Sequence, residues 1–367
     1  MESSAVHEHN FNPGPSILPA CVRAEAAAAL AGPIGEISIL EMSHRSATYG
    51  AIHEEARARC RSIYAVPDDF AILFLQGGAS LQFAMLPQNL LRPGRSADYV
   101  ETGVWSAKAI AEAKAAGNVC RIAASSRDQD FCYVPAQAEL DLDVQAEYLH
   151  LTTNNTIYGT QFAALPDTDG VPIVADMSSD LLSRPVPWEE AGVGAAYGGA
   201  QKNAGVAGLT VVIIRTDLLG RERESTPAIL RYSTHVEADS LYNTPPAFSV
   251  YVFSLVLRWL ESQGGLEGID EGNRAKAKII YDVIDASQDF YRGHARPDSR
   301  SSMNITFSLA TAADESRFLE AAEGAGMVGL AGHRSIGGVR ASVYNAMPVD
   351  SCQALADLMV EFARKRG

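Results

Sequence analysis

Short apolar runs recur along the first two thirds of the chain, and each is closed by a polar or glycine-rich turn. Stretches with apolar residues at helical spacing, such as residues 106–116, lie between them. Apolar strands that alternate with helices predict an α/β fold with a largely parallel sheet covered on both faces. In such sheets, ligand-binding groups gather at the carboxyl ends of the strands. The predicted strands are residues 71–75, 147–151, 172–175 and 209–214.

Two helices are predicted before the first of these strands. The alanine-rich residues 25–30 have a high helix propensity, and Gly32 followed by Pro33 marks the end of that helix. Residues 49–63 carry apolar side chains at helical spacing, which predicts a second helix.

The pattern changes near Gly264 and Gly265, after which helices and strands alternate singly to the end of the chain. This change predicts a smaller second α/β domain. We expect an N-terminal segment at residues 1–15 that packs with the small domain, a large domain at 16–264 and the small domain at 265–367. The predicted elements of the tail are helices at 269–287, 314–324 and 351–366 and strands at 303–307 and 338–344.

Composition and charge limit the possible partners. The chain of 367 residues is 47% hydrophobic and 20% charged, which is typical of a folded globular protein. Its formal net charge of −14 argues against nucleic acid or an anionic membrane as a partner. An anionic substrate would therefore need local arginines to offset an unfavourable overall charge.

The cysteines and the apolar segments predict a cytoplasmic protein without a membrane span. The five cysteines are scattered and lack CxxC or CxxH spacing, so we expect reduced packing residues and no metal site. No basic segment followed by an apolar run is visible near the first residue, so no export signal is predicted. The longest apolar candidate, residues 248–260, is too short and too polar to span a bilayer.

Lys202 is the most unusual charged residue of the chain. It lies in the small-residue run 198–205, directly before the predicted strand 209–214, and no other charged residue occurs between Ala191 and Ile214. Such surroundings favour a lysine that loses its proton easily, as an imine-forming amine must. The alternative is an ordinary loop lysine beside a buried strand.

Two further features stand at the ends of predicted strands. The turn at residues 76–80, Gln-Gly-Gly-Ala-Ser, opens a helix whose backbone N–H groups could bind a phosphate, although an ordinary tight turn would look the same. It matches neither the dinucleotide nor the P-loop pattern. Asp176 ends the strand 172–175 and could cap a helix or face a ligand. A strand-end aspartate, a later loop lysine and a phosphate turn together fit pyridoxal phosphate.

The remaining candidates are an aromatic residue and several cations. Trp105 follows the predicted strand 98–100 and could stack on a flat ring, or it could be a core residue. The His-Arg pairs at 44–45 and 333–334 could bind carboxylate or phosphate. Arg340 lies in an otherwise apolar strand, where a solvated charge is not expected.

With these residues in view, the chain resembles the phosphoserine aminotransferases, class V aminotransferases of pyridoxal-phosphate fold type I. The resemblance covers nearly the whole length. Its most specific parts are Asn-Thr-Pro-Pro at 243–246 and Arg-Ala-Ser-Val-Tyr-Asn-Ala at 340–346. The matching segments are residues 12–19, 43–45, 77–83, 200–203, 242–246, 332–334 and 340–348.

The resemblance implies a large domain with a mostly parallel, seven-stranded type of sheet and a smaller C-terminal α/β domain. It makes Lys202 the Schiff-base lysine and Asp176 the partner of the pyridine nitrogen of pyridoxal 5′-phosphate. It also implies a homodimer whose active sites lie at the subunit interface. The other cofactor residues that it implies are Trp105 on the ring, Thr156 on the phenolic oxygen, Ala79, Ser80 and Gln201 on the phosphate, and Asn243 and Thr244 on the phosphate from the partner subunit.

For the substrates, the resemblance implies L-glutamate and 3-phosphohydroxypyruvate, which would exchange an amino group to give 2-oxoglutarate and O-phospho-L-serine. Arg340 matches the residue that takes the α-carboxylate. His44 and Arg45 of the partner subunit, with His333 and Arg334, match those near the substrate phosphate. A 4-phosphohydroxythreonine branch of vitamin B6 synthesis is a further possible use.

One position departs from many members of the family, since Ser80 stands where they have an arginine that can touch the substrate phosphate. How the phosphate is neutralised here is therefore an open question. The alternatives within the fold are an alanine–glyoxylate or serine–pyruvate aminotransferase, or a cysteine desulfurase. The desulfurase needs a loop cysteine, whereas Cys352 heads the last predicted helix. The alternative outside the fold is an oxidoreductase or a binding protein in which Lys202 is structural.

Overall fold

The structure is a computed structural model that describes residues 9–34 and 37–366. Most of the predicted helices are present, with ends within a few residues of those expected. Gly32 is the C-cap of the first helix. Ser46 is the N-cap of the second, and its hydroxyl accepts a hydrogen bond from the Tyr49 N–H. The α-helices are α1 (Ala20–Ala31), α2 (Ala47–Ile63), α3 (Gly78–Leu90), α4 (Val104–Ala115), α5 (Tyr232–Glu237), α6 (Ala247–Ser262), α7 (Gly265–Ala286), α8 (Ala312–Gly324) and α9 (Val349–Arg366).

The strands include all those predicted and several that the apolar pattern missed. The most important omission is the strand at Val193–Gly199, whose glycines and alanines do not form a run of large apolar residues. The strands are β1 (His9–Asn10), β2 (Phe70–Leu75), β3 (Ser96–Glu101), β4 (Val119–Ser125), β5 (Leu149–Thr152), β6 (Asn154–Asn155), β7 (Thr160–Gln161), β8 (Ile173–Asp176), β9 (Val193–Gly199), β10 (Thr210–Arg215), β11 (Tyr291–Gly293), β12 (Asn304–Leu309), β13 (Met327–Val328) and β14 (Val339–Ser342).

A central sheet of seven strands has the order β2-β10-β9-β8-β5-β3-β4. The pairs from β9 to β4 are parallel, whereas β10 runs antiparallel to both of its neighbours. The predicted α/β fold with a mostly parallel sheet is thus confirmed. The carboxyl ends of β9, β8 and β5 lie side by side, and this brings together residues that are far apart in the sequence.

Helices cover both faces of this sheet, as the alternating side-chain directions of its strands require. Val211 of β10 packs in the core formed with α1, α2 and α6, and its neighbour Val212 packs in the core formed with α3 and α4. The apolar run at 248–260 belongs to α6, most of whose side chains are buried. Within the described residues, no helix is both long and apolar enough to cross a bilayer.

The C-terminal part has its own core around the antiparallel sheet β11-β12-β14 and helices α7 to α9. The described start of the chain joins it, because β1 pairs with β13 and Phe11 is buried in this core. Residues 1–8 of the expected N-terminal segment lie outside the described residues. A boundary near 264 remains our proposal; a break between α6 and α7 supports it, although Leu266 still packs in the large core.

Candidate active site

A cavity of about 300 Å³ opens at the carboxyl end of the central sheet. Lys202 lines it from the turn after β9 and Asp176 from the last position of β8, and the first turns of α3 and α4 close two of its sides. Arg340 of β14 reaches it from the C-terminal sheet. The cavity therefore collects charged side chains from both parts of the chain.

Lys202 lies in the turn that follows β9. Its Nζ donates a hydrogen bond to Oγ1 of Thr156 at 2.8 Å, and its backbone oxygen accepts one from the Ser16 hydroxyl. Burial lowers the pKa of Lys202 to about 8, with Arg340 acting in the same direction and Asp176 opposing it. A larger fraction of this amine is neutral near pH 7 than for a solvated lysine, and a neutral amine is a nucleophile.

Gly199 leaves room for the Gln201 side chain at the end of β9. A Cβ on Gly199 would lie 2.4 Å from Oε1 of Gln201, so a larger residue would displace that flexible amide. The glycine therefore allows the Gln201 amide to fold back over the end of β9, beside the cavity that both Gln201 and Lys202 line.

Asp176 is the last residue of β8 and is buried. Its Oδ1 accepts hydrogen bonds from the Ser178 N–H at 3.0 Å and the Ser178 hydroxyl at 2.6 Å. Burial raises the pKa of Asp176, while Ser178 and the nearby Lys202 lower it. Asp176 is thus a fixed acceptor, suited to a cationic N–H group in the cavity.

The turn before α3 presents backbone N–H groups to the same cavity. Gly77 has φ +89°, and a Cβ there would lie 2.5 Å from Cδ2 of Leu81, so the turn needs glycine. Ala79 and Ser80 line the cavity in the first turn of this helix of 13 residues. The positive end of the helix dipole and the free N–H groups suit an anion such as a phosphate.

Trp105 stands in the first turn of α4, is partly buried and lines the cavity. It also packs against the core formed with α3 and α4, so its stacking on a ring stays a prediction. Its Nε1 is buried and has no hydrogen-bond partner among the described residues. One face of the indole is thus placed to stack on a flat ring, and its N–H can donate to a bound molecule.

Arg340 and His333 supply the donors on the opposite side of the cavity. Arg340 is buried, its Nε lacks a partner among the described residues, and burial lowers the pKa of its guanidinium. Nδ1 of His333 accepts a hydrogen bond from the Ser335 N–H at 3.2 Å, which leaves Nε2 as the protonated nitrogen. Partial burial, Arg340 and Arg334 all lower the pKa of His333, so its ring is a neutral donor near pH 7.

Five of the sequence-predicted residues do not line this cavity. Nδ2 of Asn243 donates to Oε1 of Gln76 at 2.8 Å, and Nε2 of Gln76 donates to the Thr244 carbonyl at 3.0 Å. Both contacts lie at the outer side of the glycine turn, where these side chains are exposed. The residues outside the lining are His44, Arg45, Asn243, Thr244 and Arg334.

Sequence reasoning missed a buried polar bridge that joins the two sheets beside the cavity. The Asn345 N–H donates to Oδ1 of Asn203 at 2.9 Å, and Nζ of Lys276 donates to the carbonyls of Tyr344 and Asn345 at 2.7 and 3.1 Å. Because Asn203 follows Lys202 and Tyr344 follows β14, the bridge fixes the lysine turn relative to Arg340. The Tyr-Asn pair was visible in the sequence, but nothing there distinguishes Lys276 from a solvated helix lysine.

A larger groove of about 780 Å³ lies between Pro185 and the start of α7. It is lined by Arg184 and Asp180, which pair with each other at 3.5 Å, and it excludes Lys202. We assign the chemistry to the smaller cavity because that is where an amine of lowered pKa, a fixed carboxylate and a free guanidinium meet.

Comparison with known proteins agrees with this geometry. The family model for aminotransferase class V matches residues 9–355. The chain is 51% identical to a phosphoserine aminotransferase of Lysinibacillus sphaericus (strain C3-41) over 358 residues, 97% of this chain and 98% of that protein.

Solved structures give the same result. The phosphoserine aminotransferase from Bacillus circulans subsp. alkalophilus superposes with a TM-score of 0.95 at 50% identity, covering 100% of both chains. The enzyme from Trichomonas vaginalis, solved with pyridoxal phosphate bound, gives a TM-score of 0.91 at 36% identity over 96% of this chain and 99% of that one.

Proposed function

The chain belongs to the class V aminotransferases, which makes it a pyridoxal-phosphate-dependent enzyme, and from this premise we propose that it acts as a phosphoserine aminotransferase. The reaction is the reversible transfer of an amino group from L-glutamate to 3-phosphohydroxypyruvate, giving 2-oxoglutarate and O-phospho-L-serine. The observation that carries the proposal is the buried Arg340, whose Nε has no hydrogen-bond partner among the described residues, in the same cavity as Lys202 and Asp176. An amino-acid carboxylate matches a planar guanidinium in this position.

Pyridoxal 5′-phosphate fits the residues around the cavity. The lysine amine, the fixed carboxylate, the helix N-terminus and the indole face each suit one part of this molecule: its aldehyde, ring nitrogen, phosphate and ring. When bound, the cofactor supplies an electron sink for the electrons left at the substrate Cα. The residues that would hold it are Lys202, Asp176, Trp105, Thr156, Ala79, Ser80 and Gln201.

Each polar side chain then has a task. Lys202, as a free amine with a pKa of about 8, would remove the proton from the substrate Cα and deliver it to the carbon of the cofactor that carried the aldehyde. Thr156 holds Nζ in place as an acceptor at 2.8 Å, and its own hydroxyl proton is left for the phenolic oxygen. Asp176 would accept a hydrogen bond from the ring N–H of the bound cofactor, and its negative charge would keep that nitrogen protonated.

The two substrates share an α-carboxylate and differ at the other end. We assign the α-carboxylate to Arg340. The distal carboxylate or phosphate is assigned to His333 and Arg334, with His44 and Arg45 contributed by the partner subunit. His333 lines the cavity as an Nε2–H donor, and Arg334 is the next residue along that loop.

A cysteine desulfurase is disfavoured by the placement of Cys352. That side chain is fully buried in α9, and burial raises the pKa of its thiol to about 12. A thiol of this kind is not a nucleophile at neutral pH.

Two half-reactions test the proposed function. Glutamate alone should shift the cofactor absorbance of the holoenzyme toward that of the amino form, and 3-phosphohydroxypyruvate should then restore the starting spectrum. Hydroxypyruvate, glyoxylate and pyruvate should each restore it more slowly, by at least about tenfold in kcat/KM, because they lack a distal anion for His333 and Arg334. Equal rates with glyoxylate and with the phosphorylated acid would favour an alanine–glyoxylate aminotransferase instead.

The homodimer is part of the same proposal. Asn243 and Thr244 are exposed and do not reach the cavity of their own chain, as expected for residues that complete a neighbouring site. Exposed apolar side chains occur nearby along the chain, at Leu40 before His44 and at Tyr242 before Asn243. Sedimentation should give twice the chain mass of 39.2 kDa. A fully active species of single-chain mass would contradict the shared site.

A further inference from the structure

The distal phosphate of the proposed substrate carries nearly two negative charges at neutral pH. Helix α3 offers the substrate phosphate no cation, because residues 76–91 contain no charged side chain and the first-turn N–H groups are assigned to the cofactor phosphate. Because the chain has a net charge of −14, side-chain cations that offset the phosphate charge are needed, and they must come from elements other than α3. The surface of α4 next to Trp105 provides one that the sequence analysis did not consider.

Lys108 lies on the cavity side of α4. It follows Val104 by four residues and Trp105 by three, which places the three side chains on one helix face. Its Nζ stands over the Trp105 ring, 4.6 Å from the ring centroid. Trp105 lines the cavity, so Lys108 lies one side chain away from the cavity without being part of its lining.

The loop that carries His333 rests on the same face. Ile336 packs with Val104 and Trp105 against the small apolar cluster around Tyr158. This packing brings the His333 side chain near Lys108, and the Lys108 charge is one of the influences that lower the pKa of His333. The Arg340 and Arg334 charges also lower the pKa of His333.

Lys108 is also free to bind an anion. Many cations of this chain are paired with carboxylates, as Arg127 is with Glu101 and Arg95 is with Glu147. Within the described ranges, Lys108 has no carboxylate at ion-pair distance, and its side chain is exposed. An exposed, unpaired ammonium next to a cavity is available to a ligand at little desolvation cost.

We propose that Lys108 binds the distal phosphate of the substrate together with His333 and Arg334, and so sets the preference for the phosphorylated acid. This inference rests on the proposed function. Lys108 interacts with glutamate as well, but the γ-carboxylate of glutamate has one negative charge where the phosphate has nearly two. Its loss therefore weakens the phosphorylated substrate more than glutamate, whereas Arg340 serves both.

The test compares both half-reactions of holoenzyme carrying Lys108→Met, Lys108→Arg or Lys114→Met. Lys114 is the matched control, since it lies in the last turn of the same helix, nine residues beyond Trp105, whereas Lys108 stands over the Trp105 ring. We expect Lys108→Met to raise KM for 3-phosphohydroxypyruvate by about 10- to 100-fold and KM for glutamate by less than about 3-fold. Lys108→Arg should recover most of the loss, and Lys114→Met should behave as wild type.

Equilibrium binding gives a second readout that does not depend on turnover. Inorganic phosphate, titrated into the holoenzyme in a calorimeter without substrates, should bind more weakly to Lys108→Met by a similar factor. Equal losses in both half-reactions, or a shifted cofactor absorbance, would show that Lys108 only orients Trp105 and would overturn the inference. Unchanged kinetics would also overturn it. If wild-type protein fails to use 3-phosphohydroxypyruvate at all, the proposed function itself is wrong.

Discussion

Replacing Lys202 with alanine should lower kcat by at least about 10³-fold while leaving a folded protein that still binds pyridoxal phosphate weakly. The substitution removes both the amine that links the cofactor and the base that moves the Cα proton, and a positioned base alone contributes about 10²- to 10⁴-fold. The other cavity residues stay in place, because Nζ makes one side-chain hydrogen bond, to Thr156. Retained transamination at more than a hundredth of the wild-type rate would contradict the role of Lys202.

A lowered pKa alone does not single out this lysine, which makes Lys276 an informative control. Burial lowers the pKa of Lys276 to about 8 as well, yet its Nζ is held by two backbone carbonyls away from the cavity. Borohydride treatment of the holoenzyme followed by peptide mapping should therefore find the cofactor on Lys202 and none on Lys276. The rate of attachment to wild-type apoprotein should rise with pH up to about 8 and then level off, because the neutral amine is the attacking form.

The sequence alone indicated three of the proposed cofactor-binding features because each breaks a local rule. Lys202 is a charge without charged neighbours, Asp176 ends an apolar strand, and the turn before α3 is too rich in glycine for a helix interior. Such residues can be recognised from the sequence alone, because the neighbouring residues form the regular pattern from which they depart. Five of the seven central strands followed from the same alternation. The exceptions are β4 and β9, and in β9 glycines replace the bulky residues that identify a strand.

Other parts of the site depend on contacts between distant segments, and these leave no local trace. Lys276 lies 74 residues beyond Lys202 in the chain and supports the polar bridge only because α7 packs under the loop after β14. Lys108 looks like any solvated helix lysine until Ile336 brings the His333 loop onto its helix. The family resemblance identified His333 and Arg334, but it did not indicate which cations of this chain surround them.

Replacing Asp176 with asparagine should reduce kcat by about 10²- to 10⁴-fold with little change in fold. Removing one partner of a buried charge pair costs about 3–5 kcal/mol, which corresponds to that range of rates. Asparagine has nearly the same shape, and its Oδ1 can still accept both hydrogen bonds from Ser178. The experiment therefore isolates the negative charge that keeps the ring nitrogen positively charged.

Asp180 provides the matched control, because it is also a buried carboxylate whose pKa is raised by burial. It is held by Thr153, Gln161 and Arg184, and it does not line the cavity of Lys202. Asp180→Asn should lower the melting temperature but leave kcat of the folded holoenzyme within about 3-fold of wild type. A similar loss of kcat in Asp176→Asn and Asp180→Asn would mean that the activity depends on any buried carboxylate in this region. The charge that faces the ring would then have no special role.

The effect of Asp176 on Lys202 separates catalysis from cofactor attachment. The negative charge of Asp176 raises the pKa of Lys202, so Asp176→Asn should move that pKa further below about 8. At pH 6 to 7 the variant should then attach pyridoxal phosphate at least as fast as wild type, although its turnover is strongly reduced. Stopped-flow absorbance gives the rate of cofactor attachment. Measured together with kcat at the same pH, it tests whether attachment is unslowed while turnover falls. Slower attachment together with slower turnover would instead indicate that Asp176→Asn disturbs the cavity as a whole.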